Sequence, residues 1–99
     1  MPYLYVVERF EWHEEKADAN LAKHGISFPD AADVFEDSSR LEWFDDREDY
    51  GEDRFVTIGV VRGRVIVVAY TMRGTHRRLI MARRATRRER EEYHGNREL

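Results

Sequence analysis

The sequence predicts an α+β fold in the order β-α-α-β-β-β-β-α: an antiparallel sheet packed by an N-terminal helical hairpin and a C-terminal helix. Three observations predict it. Apolar side chains recur at helical spacing between residues 13 and 37, whereas the period falls to two between 40 and 84. The Val/Ile-rich runs "RFVTIGVV", "RVIVVAYTM" and "HRRLIMARR" are separated only by short turns containing Gly63 and Gly74, and connections this short join antiparallel neighbours. Start and stop signals bracket each helical stretch.

The opening "YLYVVERFEW" is apolar and rich in aromatics, and at least "RFEW" is expected as a strand. "HEEKADANLAKHG" has acids in its first turn, Lys23 and His24 in its last, and Gly25 as its stop, which suits the helix dipole at both ends. Ala17, Leu21 and His24 fall on one side of this helix, and Lys16, Asn20 and Lys23 form a polar stripe beside them. Asn20 is expected to bond backbone between helix and sheet. "SFPDAADVFED" reads as a second short helix, with Ser27 capping toward Asp30 and Pro29 in the first turn. Phe28, Ala31 or Ala32, and Phe35 make its buried stripe. "RLEWF" (40–44) and the three runs above supply four strands, with the acidic loop "DDREDYGED" after the first of them. Thr86 and Glu89 in "TRRE" match a capping box that opens a helix ending near Gly95.

The 99 residues are expected to form one domain, 1–99. No stretch approaches the ~18 apolar residues of a membrane span, and no signal peptide is read at the N-terminus. Cysteine is absent, so disulfides and thiolate chemistry are excluded, and a cytoplasmic location is expected. Net charge is −3, but it is segregated: residues 1–53 carry −11 and residues 54–99 carry +8. Seven arginines lie between positions 77 and 90. Such asymmetry points to two faces with different partners. No metal site is expected: Tyr50 stands where a calcium loop needs an oxygen donor, and the four histidines lack metal-site spacing. No glycine-rich phosphate loop or nucleophile elbow is present.

Phe10, Glu11, Trp12, Lys16, Asn20, Lys23, His24, Gly25 and Phe28 form a pattern, F-E-W, lysine, N-x-x-K-H-G and an aromatic, that resembles the N-terminal signature of BrnT-type toxins. "GEDRFVTIG" and "TMRG…RRLIMARRATRRERE" resemble the same family's central strand and its last strand and helix. The likeness covers about residues 9–94. It implies a RelE-like, barnase-like microbial ribonuclease fold, metal-independent RNA cleavage without a cofactor, and growth arrest when the toxin is unopposed. It also implies a BrnA-type ribbon-helix-helix antitoxin as partner, a heterotetramer, and contact with DNA only through that antitoxin. His13 replaces the family's usual Asp, Glu48 stands where many members carry histidine, and Met81 replaces a small polar residue.

Cleavage through the RNA's own 2′-hydroxyl needs a base, an acid, and cations around a phosphorane gaining negative charge. Arginine forks bind phosphate and keep their charge, so they suit the last task. Arg73 and either Arg83 or Arg84 are the expected clamp, with Arg83 favoured because alternation places it in the more apolar row with Leu79 and Met81. Lys23 and His24 are the candidate proton carriers, although His24 also reads as a helix-capping residue. Arg64, Arg78, Arg84 and Trp12 are expected to contact RNA. Arg87, Arg88 and Arg90 are expected to be solvated or paired with nearby acids. The alternative is an inactive subunit that only binds its antitoxin and tunes operator binding.

Overall fold

The computed structural model describes residues 4–7 and 9–97. Its elements are β1 (Leu4–Val7), β2 (Phe10–His13), α1 (Glu14–His24), α2 (Phe28–Ala32), a 3₁₀ turn (Asp33–Glu36), β3 (Leu41–Phe44), β4 (Phe55–Val61), β5 (Arg64–Arg73), β6 (His76–Arg84) and α3 (Arg87–Arg97). The fold is α+β as expected, with two corrections. The opening segment forms a two-stranded hairpin rather than a single strand. The sheet is mixed rather than antiparallel, because β2 runs parallel to β6 through Phe10–Arg77 and Glu11–Arg78. A short turn dictates direction only for strands it joins. No turn joins β2 to β6, so that rule leaves their direction open; α1, which follows β2, packs against both strands. The order across the sheet is β1-β2-β6-β5-β4-β3.

Helix ends follow the sequence signals. Gly25 closes α1 at φ 71°, a left-handed conformation that costs glycine little, and its N–H reaches the Leu21 carbonyl. The Ser27 hydroxyl accepts the Asp30 N–H at 3.2 Å and starts α2. Thr86 and Glu89 bond each other reciprocally at the start of α3. The expected second helix tightens after Ala32 into the 3₁₀ turn, which buries Val34 beside Phe28 and Ala31.

Both sheet faces are covered. Trp12, Phe28, Ile66, Val68, Leu79 and Ala82 pack under α1 and α2. Tyr93 of α3 packs with Ile58, Val65, Val67 and Ala85 on the other side. β5 therefore lies between two apolar layers, which is why "VIVV" shows no alternation. The register slips between Ala69 and Tyr70: Tyr70 pairs with Leu79 but Ala69 pairs with Met81, leaving Ile80 as the extra residue of a bulge. Leu79 and Ala82 consequently share the face under α1, and Met81 and Arg83 occupy the other. Strict alternation had grouped Leu79 with Met81 and Arg83, and the bulge breaks that grouping.

The apolar stripe expected on α1 is also corrected. Leu21 is 50% exposed, whereas Asn20 is 7% exposed and faces the sheet. The Asn20 amide donates to the carbonyls of Ile26 (3.0 Å) and Ala82 (2.8 Å), and its oxygen accepts the Ala82 N–H (3.0 Å). Its carboxamide thus takes the place of a strand beside β6. Burying Leu21 instead would leave the Ala82 amide group without these bonds, at about 1–3 kcal/mol per orphaned group. Asp37 does similar work at β4: its Oδ2 accepts the Val60 N–H at 2.9 Å and the hydroxyl of Tyr93. Gly59 permits that approach, since a Cβ there would stand 2.8 Å from Val34 Cγ2.

Two stability predictions follow from these contacts. Asn20→Ala should lower stability by about 3 kcal/mol, read as a lower denaturant midpoint at constant slope. Gly59→Ala should cost about 1–3 kcal/mol by overpacking against Val34, and Val34→Ala in the same chain should recover part of that loss.

Candidate functional site on the open sheet face

Trp43, Val56, Ala69 and Met81 are cross-strand partners, so they form one lateral row over β3, β4, β5 and β6. The next row is Leu41, Ile58, Val67 and Arg83. Tyr93 covers the second row near Ile58 and Val67, but a recess of about 270 Å³ stays open over the first. Trp43, Met81 and Ala69 line its floor, with Arg47, Arg83 and Glu89 at the rim. Trp43 is 42% exposed, an indole face available to a flat ligand.

Arg83 is the most constrained cation at this rim. Its Nη1 and Nη2 donate to the two carboxylate oxygens of Glu89 at 2.8 and 3.0 Å, and Nη1 also donates to the Arg84 carbonyl at 3.2 Å. A guanidinium has five N–H donors. Three are engaged, and those left are Nε–H and the second Nη2 hydrogen. These two lie on one edge of the fork, the edge that grips two phosphate oxygens side-on. Glu89 is itself fixed by the capping box, where its Oε1 accepts the Thr86 N–H at 2.8 Å. The bond from Arg83 is the main cause that lowers the Glu89 carboxyl to about 2, and Glu89 in turn raises Arg83. Arg47 approaches from the loop after β3, and its charge works against that of Arg83. Arg47 is held by two bonds to Asp45, at 2.8 and 2.9 Å, which lower the Asp45 carboxyl to about 2.

The sequence-derived site residues are only partly brought together. Arg73 pairs with His76 across the β5–β6 turn, whereas Arg83 pairs with Val67, six positions down the same strand. At ~3.3 Å per residue the two arginines stand roughly 20 Å apart along the sheet. An antiparallel hairpin sends the end of one strand away from the end of the next, so Arg73 and Arg83 are not one clamp. Arg73 pairs instead with Glu52 at 2.9 Å. Lys23 and His24 line a cleft between α1 and β6 with Lys16, Ile80 and Met81. Met81 also lines the Arg83 recess, so the two hollows flank one side chain.

Trp12 is 6% exposed and packs edge-on against Phe28, so it has no face for a base. Arg78 turns into the sheet toward buried Glu11 at 3.5 Å, and its Nε is buried without a partner, so it is not a surface phosphate contact. Arg64 and Arg84 share a separate recess at the other end of α3's first turns. Arg87 pairs with Glu91 as expected. Among the described residues, no three His, Asp or Glu side chains converge as metal ligands would.

Of the sheet-face site, Trp43 is expected from sequence in the core or against a partner, with base stacking the lesser alternative, and Arg47 is not singled out. Trp43 carries a usable signal, an aromatic on the alternation of "RLEWF". Arg47 sits in an irregular loop and carries none.

The chain is thus a small α+β protein with an apolar recess left open on its sheet beside the last helix and rimmed by arginines. The family comparison is specific: the model described as the ribonuclease toxin, BrnT, of type II toxin–antitoxin systems matches residues 12–89, and the chain belongs to that family. No curated protein matches the chain.

The Glu89 carboxyl is depressed from its ordinary 4.5 to about 2, so its pairing stabilises the fold above about pH 4.5 and is lost as pH falls toward 2. Glu89→Gln should keep the capping bonds, lower stability at pH 6, and show a shallower loss between pH 4.5 and 2 in denaturant titrations.

Proposed function

We propose that this chain is an active endoribonuclease toxin that cleaves RNA through the 2′-hydroxyl, without a metal, on the sheet face bounded by Trp43, Arg47, Met81 and Arg83. The observation that carries this reading is the Arg83 fork, locked end-on by Glu89 with its side edge free at the rim of an open apolar floor. The RelE-like ribonuclease architecture is part of the reading, and a mixed sheet with helices on both faces supports it.

In this mechanism a base stacks on Trp43 and sets the adjoining phosphodiester at the Arg83 edge. The 2′-oxygen attacks phosphorus as it gives up its proton, the P–O5′ bond breaks, and the departing 5′-oxygen takes a proton. A 2′,3′-cyclic phosphate and a 5′-hydroxyl result. Arg83 and Arg47 stabilise the charge that grows on the equatorial oxygens. One well-placed donor of this kind contributes about 3–4 kcal/mol. Glu89, held near full ionisation, is a positioning group rather than a proton carrier. Proton transfer falls to Lys23 and His24 across Met81. The cognate partner is a BrnA-type ribbon-helix-helix antitoxin that covers the same face in a heterotetramer, and cytoplasmic location follows from RNA as substrate.

Expression without antitoxin, with mapping of RNA ends, tests the reading. Wild type should arrest growth and leave new 5′-hydroxyl ends, and Arg83→Ala should lose about 100- to 1,000-fold in cleavage rate while remaining folded. Equal arrest by both, or arrest by neither, would remove Arg83 from catalysis or the activity from this chain.

A further inference from the structure

Among the described residues, eight arginines have a carboxylate partner: Arg40, Arg47, Arg54, Arg62, Arg73, Arg78, Arg83 and Arg87. Against that background one place stands apart. Where the β4–β5 turn, the end of β6 and the first turns of α3 meet, a recess of about 250 Å³ is lined by Arg64, Arg84, Arg90 and His94, with no carboxylate among the described residues of its wall. Among the described residues none of these arginines makes an ion pair. The recess is built by the fold. Arg62 and Gly63 turn the chain with positive φ (50° and 77°) to start β5 at Arg64. Arg84 stands opposite Ile66, and Arg90 is pinned by a 2.9 Å bond from its Nη1 to the Ala85 carbonyl.

Three guanidinium groups converging without an acid repel one another, and an anion relieves that repulsion. Besides the arginines and His94, the recess is lined only by the small groups Gly63, Val65 and Ala85, which offer no deep apolar pocket. Among the described residues the large exposed apolar side chains are Leu21, Trp43, Phe44 and Met72, and none lines it. A docking peptide draws its affinity from apolar anchors in pockets. A phosphodiester needs none, and arginine forks match its oxygens.

Position adds the second argument. Arg83 and Arg84 are consecutive, and successive strand residues point to opposite sides. The first turns of α3 lie between them, with Glu89 toward the Arg83 recess and Arg90 toward this one. We infer that the Arg64–Arg84–Arg90–His94 recess is a second phosphate site, which holds a phosphodiester of the same RNA strand after it rounds the Thr86 corner. The inference rests on the ribonuclease reading for the strand's identity, and on the unpaired arginines for the site.

The test measures binding of a 2′-O-methyl RNA oligonucleotide, which lacks the attacking hydroxyl, to the full chain by fluorescence anisotropy over a series of salt concentrations. Arg64→Ala with Arg84→Ala should weaken binding at least tenfold at low salt. It should also reduce the slope of log affinity against log salt by about 0.7, the share of the one phosphate the site holds. Arg64→Lys with Arg84→Lys should keep most of the slope, and a thermal melt on each variant confirms folding. Unchanged affinity and slope in the alanine pair would overturn the site, as would wild type that binds no such RNA. Unchanged RNA binding with weakened capture of the antitoxin would overturn it in favour of a peptide site. Cleavage is read in parallel: a wild type that binds RNA through these arginines but cuts none retains this site and loses the ribonuclease reading. Cleavage abolished by Arg83→Ala, with RNA binding indifferent to Arg64 and Arg84, does the reverse.

Discussion

The position of α1 against β6 depends on one carboxamide. Asn20 supplies both a donor and an acceptor to Ala82 and a further donor to Ile26, and it does so from a helix face that would otherwise carry a leucine. A buried strand edge must find partners for its N–H and C=O groups. β2 provides them for Arg77 and Arg78, and beyond that pairing Asn20 provides them for Ala82. Because a side chain ends the sheet there instead of a further strand, Lys23, His24 and Met81 meet at the edge, next to the open face. The same economy operates at β4, where Asp37 satisfies Val60 and reaches Tyr93, fixing α3 over only part of the opposite face.

Electrostatics then decides what that open face can do. An acidic chain of net charge −3 concentrates its negative charge in the first half, and many of those acids are consumed in pinning arginines. Pinning is not neutralisation in the functional sense. Glu89 occupies the end of the Arg83 fork and thereby aims the remaining edge, while Asp45 restrains Arg47 at the rim. Two exposed, freely rotating arginines would lose several side-chain rotamers on gripping phosphate, whereas here much of that entropy is already lost.

Much of this architecture was legible in the sequence because local chemistry dictated it. The capping box at Thr86 and Glu89, the Ser27 cap and the Gly25 stop each require only residues within a few positions, and all three form. Long-range geometry was less accessible. Period-two alternation assigns Met81 and Arg83 to a common face but cannot reveal the bulge that moves Leu79 off it. Proximity in sequence to a strand end made Arg73 look like a neighbour of Arg83, and antiparallel direction places them far apart. Trp12 and Arg78 carried aromatic and cationic signals suited to RNA, yet a tertiary core and a buried Glu11 claim them. Val34 was missed as core because the helix period changes in the 3₁₀ turn.

The bond between Asn20 and Ala82 spans 62 residues of chain. During synthesis at ~5–20 residues per second, about 3–12 s separate the appearance of these two residues. Throughout that interval the nascent polypeptide holds its first helix without the strand that seats it, and Arg83, Arg84 and Arg90 have not been translated. Assembly of the arginine-rimmed sheet face is therefore postponed to the last moments of production by the order in which the ribosome delivers the parts.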